Sequence, residues 1–363
     1  MDYDVLIIGG GIAGLSLAWR LAPQLSVVVV EAESTLAFHS SSRSARQMQP
    51  SYGPAPIQEL TMRTLEFVEQ MSAGLPAPIL VPRPLLTLGT QNDVAALVAR
   101  NAHLVPLSHA ETMERSPDLH PGAFEAAALD STAMEVDVPS LIEFYRSQAV
   151  AAGALVLTNS RVGSVVPHGS AGFSVTAGER CLTAGVVVNA AGAWADTVAQ
   201  LGGVRSRGLV PHRRSAAIVS TEHAVNPAGP MVQPTDESYY FRPDGPHLLI
   251  SPCESIPAEP GDAQVVDADI SELISRIGAV TTLGITGVVR AWTGLRTHPV
   301  DGLPVVGFDA DVPNFFWLAG QGGYGIQTSA ALAGLAAALI TGTLTDDDGA
   351  LAAALSPQRA GLG

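Results

Sequence analysis

The strongest constraint on this chain is a glycine cluster near its start. Gly9-Gly10-Gly11-Ile12-Ala13-Gly14 satisfies the pattern G-x-G-x-x-G. It follows the short apolar run 4–8 and opens an apolar-periodic run over 12–21. A β-branched run over 26–30 comes next and leads directly into Glu31. Strand, glycine turn, helix, strand and then an acid about 20 residues on is the order of a dinucleotide-binding βαβ unit. Each position has a physical reason. Gly9 permits the tight turn, Gly11 lets backbone approach a pyrophosphate, and Gly14 lets the helix pack closely on the strand. Ile12 and Ala13 then form the helix N-terminus that faces the phosphates. Glu31, followed by Ala32, can accept hydrogen bonds from ribose hydroxyls and would repel a 2′-phosphate, which argues against NADP. At this point both FAD and NAD remain open.

Beyond this unit, residues 32–54 are rich in Ser, Arg, Gln and Pro and read as a long functional loop. Helices are expected over 57–71, 93–100, 138–152, 270–277 and 325–340. Short strands are expected at 85–88, 154–157, 163–166, 173–176, 186–189, 207–220, 239–241, 248–251, 284–293 and 315–319. The Pro-rich stretch 76–84 marks a boundary. Both ends of the chain therefore read as α/β and the middle as β-rich, so the middle is expected to be inserted into a domain built from the ends.

Composition narrows the chemistry. All 19 basic residues are arginine, and the net charge is −15. A chain with no lysine has no Schiff-base lysine, no Walker A lysine and no kinase ATP lysine. Its acidity makes nucleic acid and anionic membranes poor partners. No His/Cys cluster has metal-ligand spacing, and no metal is expected. Cys181 and Cys253 are expected to be buried free thiols. No secretory leader is expected before the first strand. No apolar run reaches the roughly 18 to 20 residues of a membrane span. These readings favour a cytoplasmic protein without a transmembrane segment, with a monomer favoured over an oligomer.

Four further motifs decide between the cofactors. They are His39-Ser40-Ser41-Ser42-Arg43-Ser44-Ala45, Val188-Asn189-Ala190-Ala191-Gly192-Ala193-Trp194-Ala195-Asp196, Trp292-Thr293-Gly294-Leu295-Arg296, and the segment from Gln321 to Ala330. Through these the chain resembles the D-amino acid oxidase-like FAD superfamily along nearly its whole length. It is most similar to the FAD-dependent D-arginine dehydrogenase branch. The resemblance implies an α/β Rossmann-like FAD-binding domain of the glutathione-reductase type, with an inserted β-rich substrate domain. The FAD domain would comprise 1–76, 130–205 and 295–363, and the substrate domain 77–129 and 206–294.

The resemblance also implies noncovalent FAD. Ser41, Arg43, Ser44 and Ala45 would lie near the pyrophosphate and flavin, and Val162 would contact adenine. Ala191, Gly192, Trp194 and Gly294 would lie close to the cofactor. Gly322, Gly323, Tyr324, Gly325, Ile326 and Gln327 would present backbone N–H groups to the flavin N1–C2=O edge, where the reduced ring carries negative charge. Arg214 and Arg296 would clamp a substrate carboxylate, because the guanidinium fork makes bidentate bonds. Tyr240 would add a hydroxyl. If Tyr239 and Tyr240 share one strand, only one of them can reach the site. Tyr52 would belong to a lid flanked by Pro and Gly. Gln47 and Gly294 complete the catalytic set, and Leu85, Gln49, Met231, Gln233 and Gln327 would shape the substrate pocket.

Departures from the branch shift the expected substrate. Gln47 stands where members acting on D-arginine have a histidine, and Leu85 stands where they have a glutamate able to pair with a cationic side chain. Gln49 replaces a threonine and Gln233 an apolar residue. Without the acid a buried guanidinium would be unpaired, at a cost of several kcal/mol. The expectation is a D-amino acid with a neutral or cyclic side chain, oxidised by hydride transfer to flavin N5. Electrons would pass to a quinone or another acceptor, and through a membrane acceptor the otherwise cytoplasmic protein would sit at the membrane periphery. The alternative is an amine or cyclic imino acid oxidase of the sarcosine or glycine oxidase type, releasing hydrogen peroxide. Sarcosine-type oxidases activate oxygen with a lysine near the flavin, and a lysine-free chain has none, which favours the dehydrogenase.

Overall fold

The computed structural model describes residues 2–168 and 171–362. The glycine fingerprint folds as its order requires: strand Tyr3–Ile8, helix Ile12–Leu21, strand Val27–Val30. These open an eight-stranded sheet with a parallel core. Tyr3–Ile8 pairs with Val27–Val30 on one side and Arg180–Asn189 on the other, and Leu155–Leu157 and Phe315–Ala319 extend the parallel set. Antiparallel strands Val162–Pro167, Phe173–Ala177 and Val305–Phe308 flank it. Strands buried on both faces read as unbroken apolar runs, as Val27–Val30 does. Val5, Ile7, Val27 and Val29 pack with Leu17, Leu21, Leu332 and Leu335. Leu6, Ile8, Val28 and Val30 pack on the other face with Val198, Ala199 and Trp317.

A second sheet of nine strands is built on the antiparallel pair Val210–Thr221 and Ile285–His298. The sequence suggested that the later strand stops at 293. It continues to His298, because its register opposite Arg214, Arg213 and His212 is uninterrupted. His247–Ser251, Tyr240–Asp244, Met231–Pro234, Leu85–Gly89, Ala126–Asp130 and Val105–Leu107 complete the main path, with Ile256–Pro257 at the far end. The period of two sorts its residues. Ala217, Val219, Phe241, Leu248 and Ile250 pack with Ile270, Leu273 and Ile277 of helix Asp267–Val280. Ile218, Met231, Tyr240 and Leu249 form a separate cluster on the opposite face.

The long loop after the first unit is partly ordered. It contains a 3-10 turn at Ser40–Arg43 and a short strand, Gln47–Met48, in a three-stranded sheet with Met134–Val136 and Leu80–Pro82. The helix expected from residue 325 begins at Ser329. Residues 325–328 are turns, tied by Thr328 N–H to Tyr324 O and Ser329 N–H to Ile326 O. The expectation of two buried thiols is also corrected. Cys181 is exposed near the start of its strand, and Cys253 is partly buried.

Candidate cofactor and substrate site

A cavity of about 540 Å³ lies between the fingerprint end of the parallel sheet and the Tyr240 face of the second sheet. That volume falls within the range of small-molecule sites. At one end are Gly9, Gly11, Ile12, Ala13, Glu31 and Ala32. Gly9 has φ +114°, and a Cβ there would meet Ala190 O at 2.4 Å. Gly14 does not line the cavity; a Cβ there would meet Gly9 O at 2.0 Å, so its role is helix–strand contact. Glu31 is oriented by two backbone donors, Gly10 N–H to Oε2 (2.7 Å) and Glu33 N–H to Oε1 (2.9 Å). Ser41 Oγ accepts from Ile12 N–H (3.0 Å), which locks the serine loop onto the helix N-terminus. A helix N-terminus, a backbone surface bare of Cβ atoms and a fixed acid together fit a dinucleotide.

The rest of the cofactor set divides cleanly. Ser44, Ala45, Val162, Ala191, Gly192, Trp194, Gly294, Gly322, Gly323, Gly325, Ile326 and Gln327 all line the cavity. Arg43 also lines it, but its guanidinium is tied to Thr293 O (2.6 Å) and paired with Asp262. That makes it a brace between the serine loop and the second sheet. Tyr324 is off the wall, with its ring 5.1 Å from that of Tyr52.

At the other end, the sheet register brings the two arginines together. Arg214 lies directly opposite Gly294, and Arg296 is two residues further along the same strand. Arg214, Gly294 and Arg296 therefore share one face, and all three line the cavity. Arg214 Nε donates to Glu254 O (2.7 Å). Gly323 leaves room for Arg296, since a Cβ there would sit 2.8 Å from its Nη1. Burial opposes the Arg296 charge, but the Tyr52 and Tyr240 hydroxyls and Cys253 outweigh it, so its pKa rises above the ordinary guanidinium value. Burial pushes the Tyr240 hydroxyl up, as it does those of Tyr324 and the Cys253 thiol. Two guanidiniums beside tyrosine hydroxyls could hold a carboxylate.

Tyr240 lines the cavity, whereas Tyr239 lies on the helix-packed face, its ring stacked on Phe241. Tyr52, Gln47, Gln49, Met231 and Gln233 line the wall as well. Gln49 Nε2 meets Met231 Sδ (3.2 Å), and Gln327 Nε2 donates to Thr61 Oγ1 (2.8 Å). Leu85 stands behind the wall, packed in one cluster with Met231 and Tyr240. Sequence reasoning missed Glu237, Cys253, Glu33 and the lining role of His39. Glu237 is water-exposed and has φ +52°. His39 Nε2 pairs with Glu33 Oε1 (3.2 Å), and its ring packs on Trp194. The family-like run at His39 held a usable signal. Glu237 and Cys253 sit in irregular segments after strands, where periodicity carries none.

The family model described as FAD dependent oxidoreductase, DAO, matches residues 4–339. Glycine oxidase of Geobacillus kaustophilus is 25% identical over 350 residues, covering 90% of this chain and 90% of that protein. Mitochondrial dimethylglycine dehydrogenase of Mus musculus is 24% identical over 89% of this chain, but only 40% of its own length is matched. Among solved structures, the fold matches that of G. kaustophilus glycine oxidase with a TM-score of 0.83 at 24% identity, over 98% of both chains. It matches that of L-proline dehydrogenase from P. horikoshii with 0.82 at 19% identity, over 95% of both chains. The glycine fingerprint, the serine loop and the glycine turn before the last long helix all fall within the matched span, and the chain belongs to the DAO family of FAD-dependent oxidoreductases.

Proposed function

We propose that this enzyme oxidises the Cα–N bond of a D-amino acid with a neutral or cyclic side chain, passing electrons to an acceptor other than oxygen. The observation that carries the reading is the placement of Arg214 and Arg296 on one face of a paired strand, beside Tyr240. Such a clamp holds the α-carboxylate and leaves Cα–H to be aimed by the remaining walls. FAD, held noncovalently by the fingerprint, the serine loop and the segment 322–327, supplies the acceptor for the hydride at Cα. Gly323 keeps that segment close to the Arg296 guanidinium. Tyr52 lines one side of the site, with its ring packed against that of Tyr324 behind the wall. The product imine leaves and hydrolyses to a 2-keto acid and ammonia.

A neutral side chain is supported by Leu85, which puts an aliphatic group in the layer behind the wall. Glu237 meets a distal cation only in water, where an ion pair is worth about 0–1 kcal/mol. The test is anaerobic flavin bleaching with D-Leu, D-Met, D-Phe, D-Pro and D-Arg and their L-enantiomers. Faster bleaching by D-Arg than by the neutral D-amino acids would overturn the side-chain assignment, and preference for L-enantiomers the configuration. The oxidase reading is favoured by the likeness to glycine oxidase over 90% of both chains. Stoichiometric peroxide during turnover in air would establish it.

A further inference from the structure

Tyr52 lines the cavity, and its hydroxyl acts on the Arg296 charge. The backbone that carries it is tied to segments far along the chain. Ser51 N–H donates to Asp130 Oδ2 (3.1 Å), 79 positions on, and Ser51 O accepts from Asn101 Nδ2 (2.6 Å), 50 positions on. Asp130 closes strand Ala126–Asp130 of the second sheet and is fully buried. A carboxylate so placed is costly unless its oxygens are hydrogen-bonded. Oδ2 takes the Ser51 N–H, and Oδ1 takes the Thr132 N–H (2.9 Å) and hydroxyl (2.6 Å). Asn101 follows helix Gln91–Ala99 and is also buried. Its Oδ1 accepts from His103 N–H (3.2 Å), which fixes the amide. Turned round, it would set donor against donor at His103 and acceptor against acceptor at Ser51. On the other side of Tyr52, Gln58 Nε2 donates to Gly53 O (2.9 Å). Gly53 has φ +91°, and a Cβ there would meet Ile57 Cγ2 at 2.9 Å and the Tyr324 ring at 3.1 Å. Tyr52 N–H itself turns back to Gln49 O (3.1 Å). The peptide units on both sides of Tyr52 are therefore held, and moving them would leave a buried carboxylate and a buried amide short of a partner.

Resting on the amine-oxidation reading, we infer that Asn101 and Asp130 are positioning residues that keep Tyr52 as a fixed wall of the substrate end, so that substrate binding does not wait on its movement. The Pro and Gly flanks of Tyr52 then shape the turn and do not free it. Neither Asn101 nor Asp130 touches the substrate. Both act through the Ser51 peptide groups, and their effect on binding passes through the Tyr52 side chain.

The first readout is hydrogen exchange of the Ser51 and Tyr52 amides in the purified holoenzyme, with and without the 2-keto acid that D-leucine would yield. Both amides should be protected equally in the two states. Asn101→Asp keeps the acceptor for His103 N–H but sets a carboxylate against Ser51 O, and Asn101→Ala simply removes the donor. Asp130→Asn has one acceptor oxygen where two now serve. In each variant exchange at Ser51 and Tyr52 should quicken about 5-fold or more, with the amides of strand Tyr3–Ile8 unchanged. Flavin content and circular dichroism check that each variant is folded, and three variants guard against one failing. The second readout is the Kd of the same keto acid, titrated by the flavin spectrum. It should rise about 3–10-fold in the variants, but less than about 2-fold when the same substitution is made in Tyr52→Ala, where nothing remains to be positioned. Amides that exchange freely in the holoenzyme and slow only with the keto acid would overturn the inference, because they would show a lid that closes on its ligand. So would a Kd unchanged in all three variants, or one that rises equally with and without Tyr52. If no amine bleaches the flavin and the keto acid does not bind, the proposed function falls, while the exchange rates still decide whether Asn101 and Asp130 hold the loop.

Discussion

Arg296 illustrates how much depends on single residues. Its half-buried guanidinium lies beside Tyr52, Tyr240 and Cys253 and fits only because Gly323 has no side chain. Replacing Arg296 or Arg214 with Met removes charge-assisted hydrogen bonds worth about 1.5–3 kcal/mol each. Flavin reduction per unit substrate should fall about 10–150-fold in stopped-flow measurements. Arg214→Lys should not restore it, because a point charge cannot reproduce the planar fork. Gly323→Ala should act through Arg296. Its Cβ would sit 2.8 Å from Nη1, so the variant should keep its FAD but raise substrate Kd, as an equilibrium titration with the flavin spectrum would read. The identity of these residues was legible in the sequence through motif likeness. Their geometry was not, since it depends on a register between distant strands, with Arg214 opposite Gly294.

Among the elements, the strand pair Val305–Phe308 and Phe315–Ala319 is closed by a buried ion pair, Arg207 with Asp309 (2.6 Å). Burial pushes the Asp309 carboxyl up, but hydrogen bonds from Trp317, Arg207 and the backbone N–H groups of Asp311 and Val312 outweigh it and leave its pKa below the ordinary value of 3.8. A depressed carboxylate contributes stability that is fully present above the unfolded value and is lost as pH falls through the folded one. Asp309→Asn should therefore cost about 3–5 kcal/mol near neutrality, by breaking a buried pair. The cost should shrink below about pH 4, as urea midpoints across pH would measure. Element boundaries were read unevenly. The first βαβ unit and helix Val138–Ala151, entered through Asp137 and Pro139, were plain. Helix His109–Arg115 was overlooked, although Ser108 and Glu111 form a full capping box that the sequence displays. Strand Met231–Pro234 has no turn chemistry or alternation of its own, and pairing with Leu85–Gly89 and Phe241 makes it a strand.

For the whole molecule, one cavity draws its walls from both large sheets, so a bound cofactor should couple them. FAD present at 100 times its Kd would stabilise the folded state by about 2.7 kcal/mol. Holoenzyme should unfold in one transition followed identically by flavin release and circular dichroism, and apoprotein should unfold at a lower temperature. Separate transitions in the holoenzyme would show that FAD bridges nothing. The sequence by itself determined the dinucleotide fold, its acid, the family and the absence of any lysine chemistry. These follow from local patterns: glycine spacing, β-branched runs and residue types that keep their meaning in isolation. Only the tertiary structure decided that Arg214 and Arg296 share a face, that Tyr240 and not Tyr239 lines the cavity, and that Leu85 stands one layer back. Those facts depend on strand register and on hydrogen bonds between distant segments, which no local pattern encodes.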